Sequence, residues 1–223
     1  MTLNAENISK RYFRKTGQAN YFEAVQPVSL SLNGGEVTAL TGRSGSGKTT
    51  LLCMLAGLLT PTAGKVWLDG TDLYSLPDAA LSRLRNEKIG VVPQGRSAVD
   101  TLTVIENILL PGLLYRGKED RESALRWMEA LGIGNLADAR PAELSGGELR
   151  RMAIARTLTQ GTPVLLADEP TGDLDDENTR LVLSAFRAAA KEEGKTVLLV
   201  THEADALPFA DRVLKMDGGK IQE

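Results

Sequence analysis

The sequence has few of the features that secreted, disulfide-bonded or membrane-spanning proteins need. It contains a single cysteine, Cys53, so an internal disulfide is excluded and a cytosolic compartment is favoured. No run of about eighteen uncharged apolar residues occurs, and no membrane-spanning helix is therefore expected. Residues 1–6 have neither the basic start nor the apolar stretch of a signal peptide. We expect no direct membrane insertion, so that any membrane role depends on a partner.

A strong excess of positive charge is also missing. The chain has 26 lysines and arginines against 29 aspartates and glutamates, a net charge of −3 and a pI near 5.4. Broad nucleic-acid-binding surfaces normally show a clear basic excess, and we therefore expect no nucleic acid partner. The length of 223 residues fits one large domain, or one core with an inserted subdomain.

The clearest motif that is present is a glycine-rich loop. It consists of Gly42, Arg43, Ser44, Gly45, Ser46, Gly47, Lys48 and Thr49, which match the phosphate-binding pattern G-x-x-x-x-G-K-[ST]. Glycines allow successive backbone N–H groups to face a triphosphate, while Lys48 supplies a positive charge and Thr49 offers a hydroxyl to Mg²⁺. A predicted strand precedes the loop and a predicted helix follows it from Thr50, an order that disfavours a chance surface loop. We expect a nucleoside triphosphate to bind here.

A pair of carboxylates, Asp168 and Glu169, follows a second apolar strand at residues 164–167. Open α/β sheets bind ligands at the carboxyl ends of their strands, so this pair is expected beside the phosphate loop. Asp168 is suited to the Mg²⁺ shell, and Glu169 can polarise a water for attack on the γ-phosphate. The alternative, an exposed acidic pair without a function, is disfavoured by the loop.

The apolar patterns predict two kinds of sheet. Residues 3–32 predict antiparallel strands joined by an exposed bend at residues 14–20. Short apolar runs predict buried parallel strands, at residues 37–40, 89–93, 164–167 and 195–200.

A largely helical block is predicted at residues 102–158. Within it, Leu125, Met128 and Leu131 fall at helical spacing, and we expect them to face the core together.

A third motif resembles the signature of the ATP-binding-cassette (ABC) ATPases. It reads Leu144-Ser145-Gly146-Gly147-Glu148 and opens a helix that carries basic residues. Gln94 resembles the Q-loop residue of this family, residues 171–175 resemble its D-loop, and His202, the only histidine, resembles its switch histidine. With five motifs in the expected order, the resemblance covers the whole chain and is closest to the lipoprotein-exporter, macrolide-exporter and cell-division branch.

The resemblance implies an α/β fold, a RecA-like P-loop NTPase with a mainly parallel sheet, an N-terminal antiparallel β subdomain and an inserted α-helical subdomain. Residues 1–93 and 162–223 are expected to form the nucleotide-binding core with the β subdomain. Residues 94–161 are expected to form the α-helical subdomain. The implied reaction is the Mg²⁺-dependent hydrolysis of ATP to ADP and phosphate.

The resemblance also assigns the residues of the site. Its implied catalytic residues are Glu169, His202 and Gln94, and its implied metal ligands are Thr49, Gln94 and Asp168. Its implied nucleotide contacts are Tyr12, Gly42, Arg43, Ser44, Gly45, Ser46, Gly47, Lys48, Thr49, Thr50, Ser145, Gly146, Gly147, Glu148 and Asp173. Tyr12 is the expected stacking partner of adenine, with Phe13, Tyr21 and Phe22 as alternatives.

In this family the signature of one subunit caps the γ-phosphate bound by the other. The resemblance therefore implies a homodimer in the ATP-bound state, which drives a separate integral-membrane permease from the cytoplasmic face of the cell membrane. The alternative is an ABC ATPase that drives a non-transporting membrane complex, such as one controlling cell-wall hydrolysis in division. A soluble ABC protein acting on DNA or ribosomes is disfavoured, because the chain has no long coiled coil, second cassette or basic face.

Two positions depart from the common pattern of the family. Glu148 stands where many members have glutamine, and a carboxylate aimed at the γ-phosphate would be repelled. We therefore expect its side chain to turn away from the nucleotide, toward Arg151. Gly95-Arg96-Ser97 stands where relatives carry an aromatic or bulky apolar residue, beside the groove where the permease docks. This difference favours a partner unlike the best-known ones.

Overall fold

The computed structural model describes residues 1–13, 21–95, 97–117 and 119–222. The bend expected at residues 14–20, and Arg96 beside the expected docking groove, lie outside these residues. The strands are β1 (Leu3–Phe13), β2 (Tyr21–Leu32), β3 (Val37–Thr41), β4 (Ala63–Leu68), β5 (Thr71–Asp72), β6 (Ile89–Val92), β7 (Val164–Asp168), β8 (Thr196–Val200), β9 (Arg212–Asp217) and β10 (Lys220–Gln222). The α-helices are α1 (Lys48–Leu55), α2 (Asp78–Lys88), α3 (Val104–Arg116), α4 (Arg121–Ala130), α5 (Gly146–Thr159) and α6 (Asp176–Lys191).

The N-terminal third contributes an antiparallel sheet in the order β2-β1-β4-β5. Strand β1 pairs with both neighbours, so that Leu3 lies opposite Leu32 on one side and Leu68 on the other. Leu3, Ala5 and Ile8 are buried, and the exposed residues between them place the other face of the strand in solvent. The predicted antiparallel layer is confirmed.

The second sheet has the order β10-β9-β3-β8-β7-β6, and all its pairings except β10–β9 are parallel. Every residue of β7 and β8 is buried, as continuous apolar strands covered on both faces require. The phosphate loop follows β3, His202 follows β8, Asp168 ends β7 and Gln94 follows β6. Since β3, β8, β7 and β6 are neighbours in the sheet, four motifs that are far apart in sequence meet at one edge.

The predicted helical block contains α3, α4 and α5, which pack on one another. One detail of the prediction is wrong. Met128 and Leu131 are fully buried, whereas Leu125 is 42% exposed. Each step of three residues falls about 60° short of a full helical turn, so two such steps rotate Leu125 away from the face of Leu131. Trp127 is buried on this helix in its place.

Within the described ranges, no helix is both long and apolar enough to cross a lipid bilayer.

Candidate functional site

The phosphate-binding loop joins β3 to α1 and is closely surrounded by backbone. Gly47 has φ +105°, and a Cβ atom there would lie 2.3 Å from the backbone oxygen of Ala24, so only glycine fits. Lys48 is 7% exposed, and its Nζ donates hydrogen bonds to the backbone oxygens of Gly42 at 2.8 Å and Arg43 at 3.2 Å. The loop thus curls around the ammonium group at the first residue of the helix, where N–H groups and positive charge favour phosphate.

Asp168 is held at the end of β7 with one carboxylate oxygen unused. It is 2% exposed, and its Oδ1 has no hydrogen-bond partner among the described residues. Burial raises the pKa of Asp168, while a hydrogen bond from Thr49 and the charge of Lys48 oppose the rise. A buried carboxylate oxygen beside a threonine hydroxyl and a phosphate loop fits Mg²⁺, which prefers few protein ligands together with substrate phosphates. No cluster of three or more acidic, histidine or cysteine ligands occurs in the described residues.

Glu169 and His202 form a pair at the ends of adjacent strands. The Nδ1 atom of His202 lies 2.9 Å from Oε2 of Glu169. The hydrogen bond and charge of Glu169 raise the pKa of His202 above its ordinary value. Glu169 has φ +48°, which is uncommon for a residue with a side chain, and its N–H donates to the backbone oxygen of Val200 at 2.8 Å. Glu169 lines a cavity next to the phosphate loop, where its carboxylate can accept a proton from a water.

These elements surround an open cavity of about 940 Å³. Its lining includes ten of the residues expected from the sequence, Arg43, Ser44, Gly45, Lys48, Thr49, Gln94, Gly146, Glu169, Asp173 and His202. The other expected residues lie outside this lining, namely Tyr12, Gly42, Ser46, Gly47, Thr50, Ser145, Gly147, Glu148 and Asp168. The phosphate loop, Glu169 and Asp173 therefore share one cavity, which is large enough for a nucleotide.

The signature motif caps the N-terminus of α5 with a pair of reciprocal contacts. Ser145 Oγ accepts from the backbone N–H of Glu148, and Glu148 Oε2 accepts from Ser145 N at 2.8 Å and from Ser145 Oγ at 2.7 Å. These hydrogen bonds lower the pKa of Glu148, and the nearby charge of Arg151 contributes less. The carboxylate turns back to Ser145, whereas we expected Arg151, because the free N–H at a helix start is a stronger attraction than a cation one turn later.

The sequence profile of the ABC transporter family matches residues 25–172. The chain belongs to this family. Curated relatives include the lipoprotein-releasing system ATP-binding protein LolD of Aquifex aeolicus (strain VF5), 40% identical over 98% of this chain and 95% of that protein. LolD of Myxococcus xanthus (strain DK1622) is 36% identical over 99% of this chain and 98% of that protein. LolD of Xanthomonas oryzae pv. oryzae (strain MAFF 311018) is 37% identical over 99% of this chain and 90% of that protein.

Solved ABC cassettes have the same fold. A dimeric structure of MJ0796, described as a bacterial ABC transporter cassette, matches with a TM-score of 0.91 and 34% identity, covering 99% of this chain and 97% of the other. A post-hydrolysis state of the same cassette with ADP and phosphate matches with a TM-score of 0.91 and 33% identity over the same shares. The chain is the ATP-binding, ATP-hydrolysing subunit of an ABC transporter, with the P-loop NTPase fold and antiparallel β subdomain expected from the sequence.

The predicted adenine platform of this ATPase lies in the antiparallel sheet. Tyr12 of β1 pairs with Phe22 of β2, and both are 40% exposed. Phe13 and Tyr21 are the next pair, and their rings meet edge to face with centroids 5.7 Å apart. The two pairs occupy successive positions of antiparallel strands, so their side chains point to opposite faces of the sheet. Stacking of adenine on Tyr12 stays a prediction.

Two contacts between the motifs of this cassette were not predicted from the sequence. Arg150 lines the cavity and donates to the backbone oxygen of Glu169 at 2.7 Å. The hydroxyl of Thr171, before the D-loop aspartate, donates to the carboxylate of Glu203, which follows the switch histidine. For the contact between Arg150 and Glu169, the only signal in the sequence was a basic residue two positions after Glu148. The contact between Thr171 and Glu203 has no local signal, because 32 positions separate the two residues.

Proposed function

We propose that this subunit powers the release of lipoproteins from a membrane through a separate permease. The observation that carries the proposal is similarity of 36–40% identity, over nearly the whole chain, to three LolD proteins of lipoprotein-releasing systems. Similarity at this level along all motifs supports the same kind of permease partner as the LolD proteins, as well as the same ATPase mechanism. The chain acts at the cytoplasmic face of the cell membrane, held there by the permease.

The working unit is a homodimer with two shared ATP sites. The dimeric cassette with a TM-score of 0.91 supports this arrangement. Ser145 and Gly146 are exposed at the start of α5, where their helix N-terminus is accessible to the phosphates of a second subunit. ATP binding therefore closes the dimer, and hydrolysis opens it.

The chemistry at each site rests on residues at the edge of the parallel sheet. Thr49, Asp168 and Gln94 would hold Mg²⁺, which would balance the phosphate charge. Glu169 takes a proton from the attacking water, and His202 contacts the γ-phosphate while its other nitrogen remains on Glu169. The orphaned Oδ1 of Asp168 and the 2.9 Å pair of Glu169 and His202 support these roles.

The chain divides into the two parts expected from the sequence. Residues 1–93 and 162–223 form the nucleotide-binding core with the β subdomain, and residues 94–161 form the α-helical subdomain. The position of α3, α4 and α5 between β6 and β7 in the chain supports this division.

The test is reconstitution of the chain with the permease that co-purifies with it, in liposomes that carry a fluorescent triacylated reporter protein. We expect ATP-dependent release of the reporter by the wild type and none by Glu169→Gln, with the permease retained in both. Stimulated ATP hydrolysis without any release of the reporter would contradict the lipoprotein role and favour a non-transporting complex.

A further inference from the structure

One arginine of α5 connects three motifs of the ATP site. Arg150 lies in the second turn of the helix that begins at the signature. Its Nη1 donates to the backbone oxygen of Pro93 at 2.9 Å, and its Nη2 donates to the backbone oxygen of Glu169 at 2.7 Å. Pro93 immediately precedes Gln94, so the guanidinium links the signature helix to both the Q-loop and the catalytic strand end.

The contact with Glu169 falls where the backbone is strained. Glu169 has φ +48°, and its carbonyl accepts from Arg150 and, at 3.2 Å, from the N–H of Gly172. A left-handed turn at a residue with a side chain persists only when its surroundings hold it. A charged donor makes a stronger hydrogen bond than a neutral one, so Arg150 is the stronger of the two restraints.

The charges around Arg150 suit a permanent cation. Burial lowers the pKa of Arg150, and the nearby carboxylates of Asp168, Asp173 and Glu169 oppose that effect. Its hydrogen bonds to Pro93 and Glu169 nevertheless go to backbone oxygens, which leaves the Glu169 carboxylate free to pair with His202. A planar guanidinium can donate to two carbonyls at once with a fixed angle between them, and a lysine ammonium cannot reproduce that geometry.

We propose that Arg150 is a positioning residue for Glu169. Its two hydrogen bonds fix the backbone that carries the Glu169 carboxylate, and the start of the Q-loop, to the signature helix. The inference rests on the proposed role of Glu169 as the base. When the signature of α5 engages a nucleotide, the same helix then sets the position of the base and of Gln94. Displacing the base by about 1 Å is enough to lower kcat up to about a hundredfold.

The test compares Arg150→Gln and Arg150→Lys with a matched control on the same helix. Arg156 also donates two hydrogen bonds, to Oγ and the backbone oxygen of Ser97, both at 2.6 Å, and it does not contact Glu169. We expect Arg150→Gln to lower kcat about tenfold to a hundredfold, with ATP affinity changed by less than about threefold because the phosphate loop is intact. Arg150→Lys recovers part of the loss, and Arg156→Gln leaves kcat within about threefold of the wild type.

A second readout separates positioning from general loosening of the helix. His202 is the only histidine, so its imidazole NMR signals are unambiguous and report on the contact with Glu169. We expect these signals to shift in Arg150→Gln and in Glu169→Gln, and to stay in place in Arg156→Gln. Equal losses of kcat in Arg150→Gln and Arg156→Gln with unmoved His202 signals would overturn the proposal. A wild-type kcat in Arg150→Gln would also overturn the proposal. If the glutamine variant does not fold, a wild-type kcat in Arg150→Lys would overturn it instead.

Failure of the underlying role of Glu169 gives a different result. If Glu169→Gln hydrolyses ATP at the normal rate, Glu169 is not the base, whatever Arg150 does. If Glu169→Gln is inactive while both Arg150 variants are fully active, the base is correct and only the positioning role is wrong.

Discussion

Replacing Glu148 with glutamine tests whether the signature carboxylate serves its own helix or the bound nucleotide. The Oε2 atom of Glu148 accepts two hydrogen bonds from Ser145, at 2.8 and 2.7 Å, in the first turn of α5. A glutamine oxygen can accept the same two hydrogen bonds. It lacks the negative charge that strengthens them and that interacts favourably with the helix N-terminus.

The expected loss of stability is small. A carboxylate at an exposed helix start contributes about 0.3–1 kcal/mol, and the partial exposure of Glu148 favours a value near 0.5 kcal/mol. In a domain of this size the loss lowers Tm by about 1–2 °C. Nucleotide affinity of the isolated chain is expected to change by less than about twofold, because the carboxylate faces Ser145 and not the cavity.

Thermal unfolding measures the first effect, and calorimetric titration with ADP and a non-hydrolysable ATP analogue measures the second. Glu106→Gln is the matched control, since Glu106 caps α3 through Thr103 with the same pair of contacts and lies outside the cavity. Both variants are expected to lower Tm, and neither is expected to change ADP affinity. A tenfold change in ADP affinity, about 1.4 kcal/mol, in Glu148→Gln alone would refute this placement of the carboxylate.

Three further predictions concern the cavity. Because Glu169 raises the pKa of His202, NMR titration should place that pKa above 6.5 in the wild type and lower it in Glu169→Gln. The protonated pair contributes its full stability below about pH 6.5, and this contribution is lost as pH rises through the raised pKa of His202. The unfolding free energies of the wild type and Glu169→Gln should therefore converge as pH increases. A difference that stays constant with pH would contradict the pairing. Glu169→Gln should also bind ATP, nearly abolish hydrolysis and elute as a dimer with ATP on a sizing column, and normal turnover would exclude it as the base. Mixing Lys48→Ala with Ser145→Arg should restore part of the activity if each site is shared between two subunits, and no recovery is expected if one chain forms a whole site.

The parts of the site that follow from short stretches of chain were predictable from the sequence. The glycine at position 47 was expected to adopt a conformation closed to other residues, and the structure gives it φ +105° beside the Ala24 carbonyl. The four apolar residues before Asp168 were expected to form a buried strand, and all of them are buried in β7. Both predictions succeeded because each depends on the residue types of one short stretch of chain, a glycine that permits a positive φ and an apolar run that suits a buried strand.

Predictions that required a choice between neighbours were less accurate. Ser145 and Arg151 both lie three positions from Glu148, and the wrong partner was expected. The capping pattern S-x-x-E was present in the sequence and indicated Ser145, because the N–H groups of a first turn have no partner within the helix. Leu125 was misplaced because two steps of three residues rotate it away from the face of Leu131, and Trp127 is buried instead.

Contacts between distant segments could not be predicted, and they decide how the motifs act together. The partners of Arg150 are 57 and 19 positions away, and they become neighbours only because β6 and β7 are adjacent in the sheet. Arg150 follows Ser145 by five positions in one helix, which is about 7.5 Å along the axis. A helix of this length moves as a rigid body. If Arg150 positions Glu169 as proposed, a displacement of α5 on engaging a phosphate moves Arg150 and, through their hydrogen bond, the backbone of Glu169.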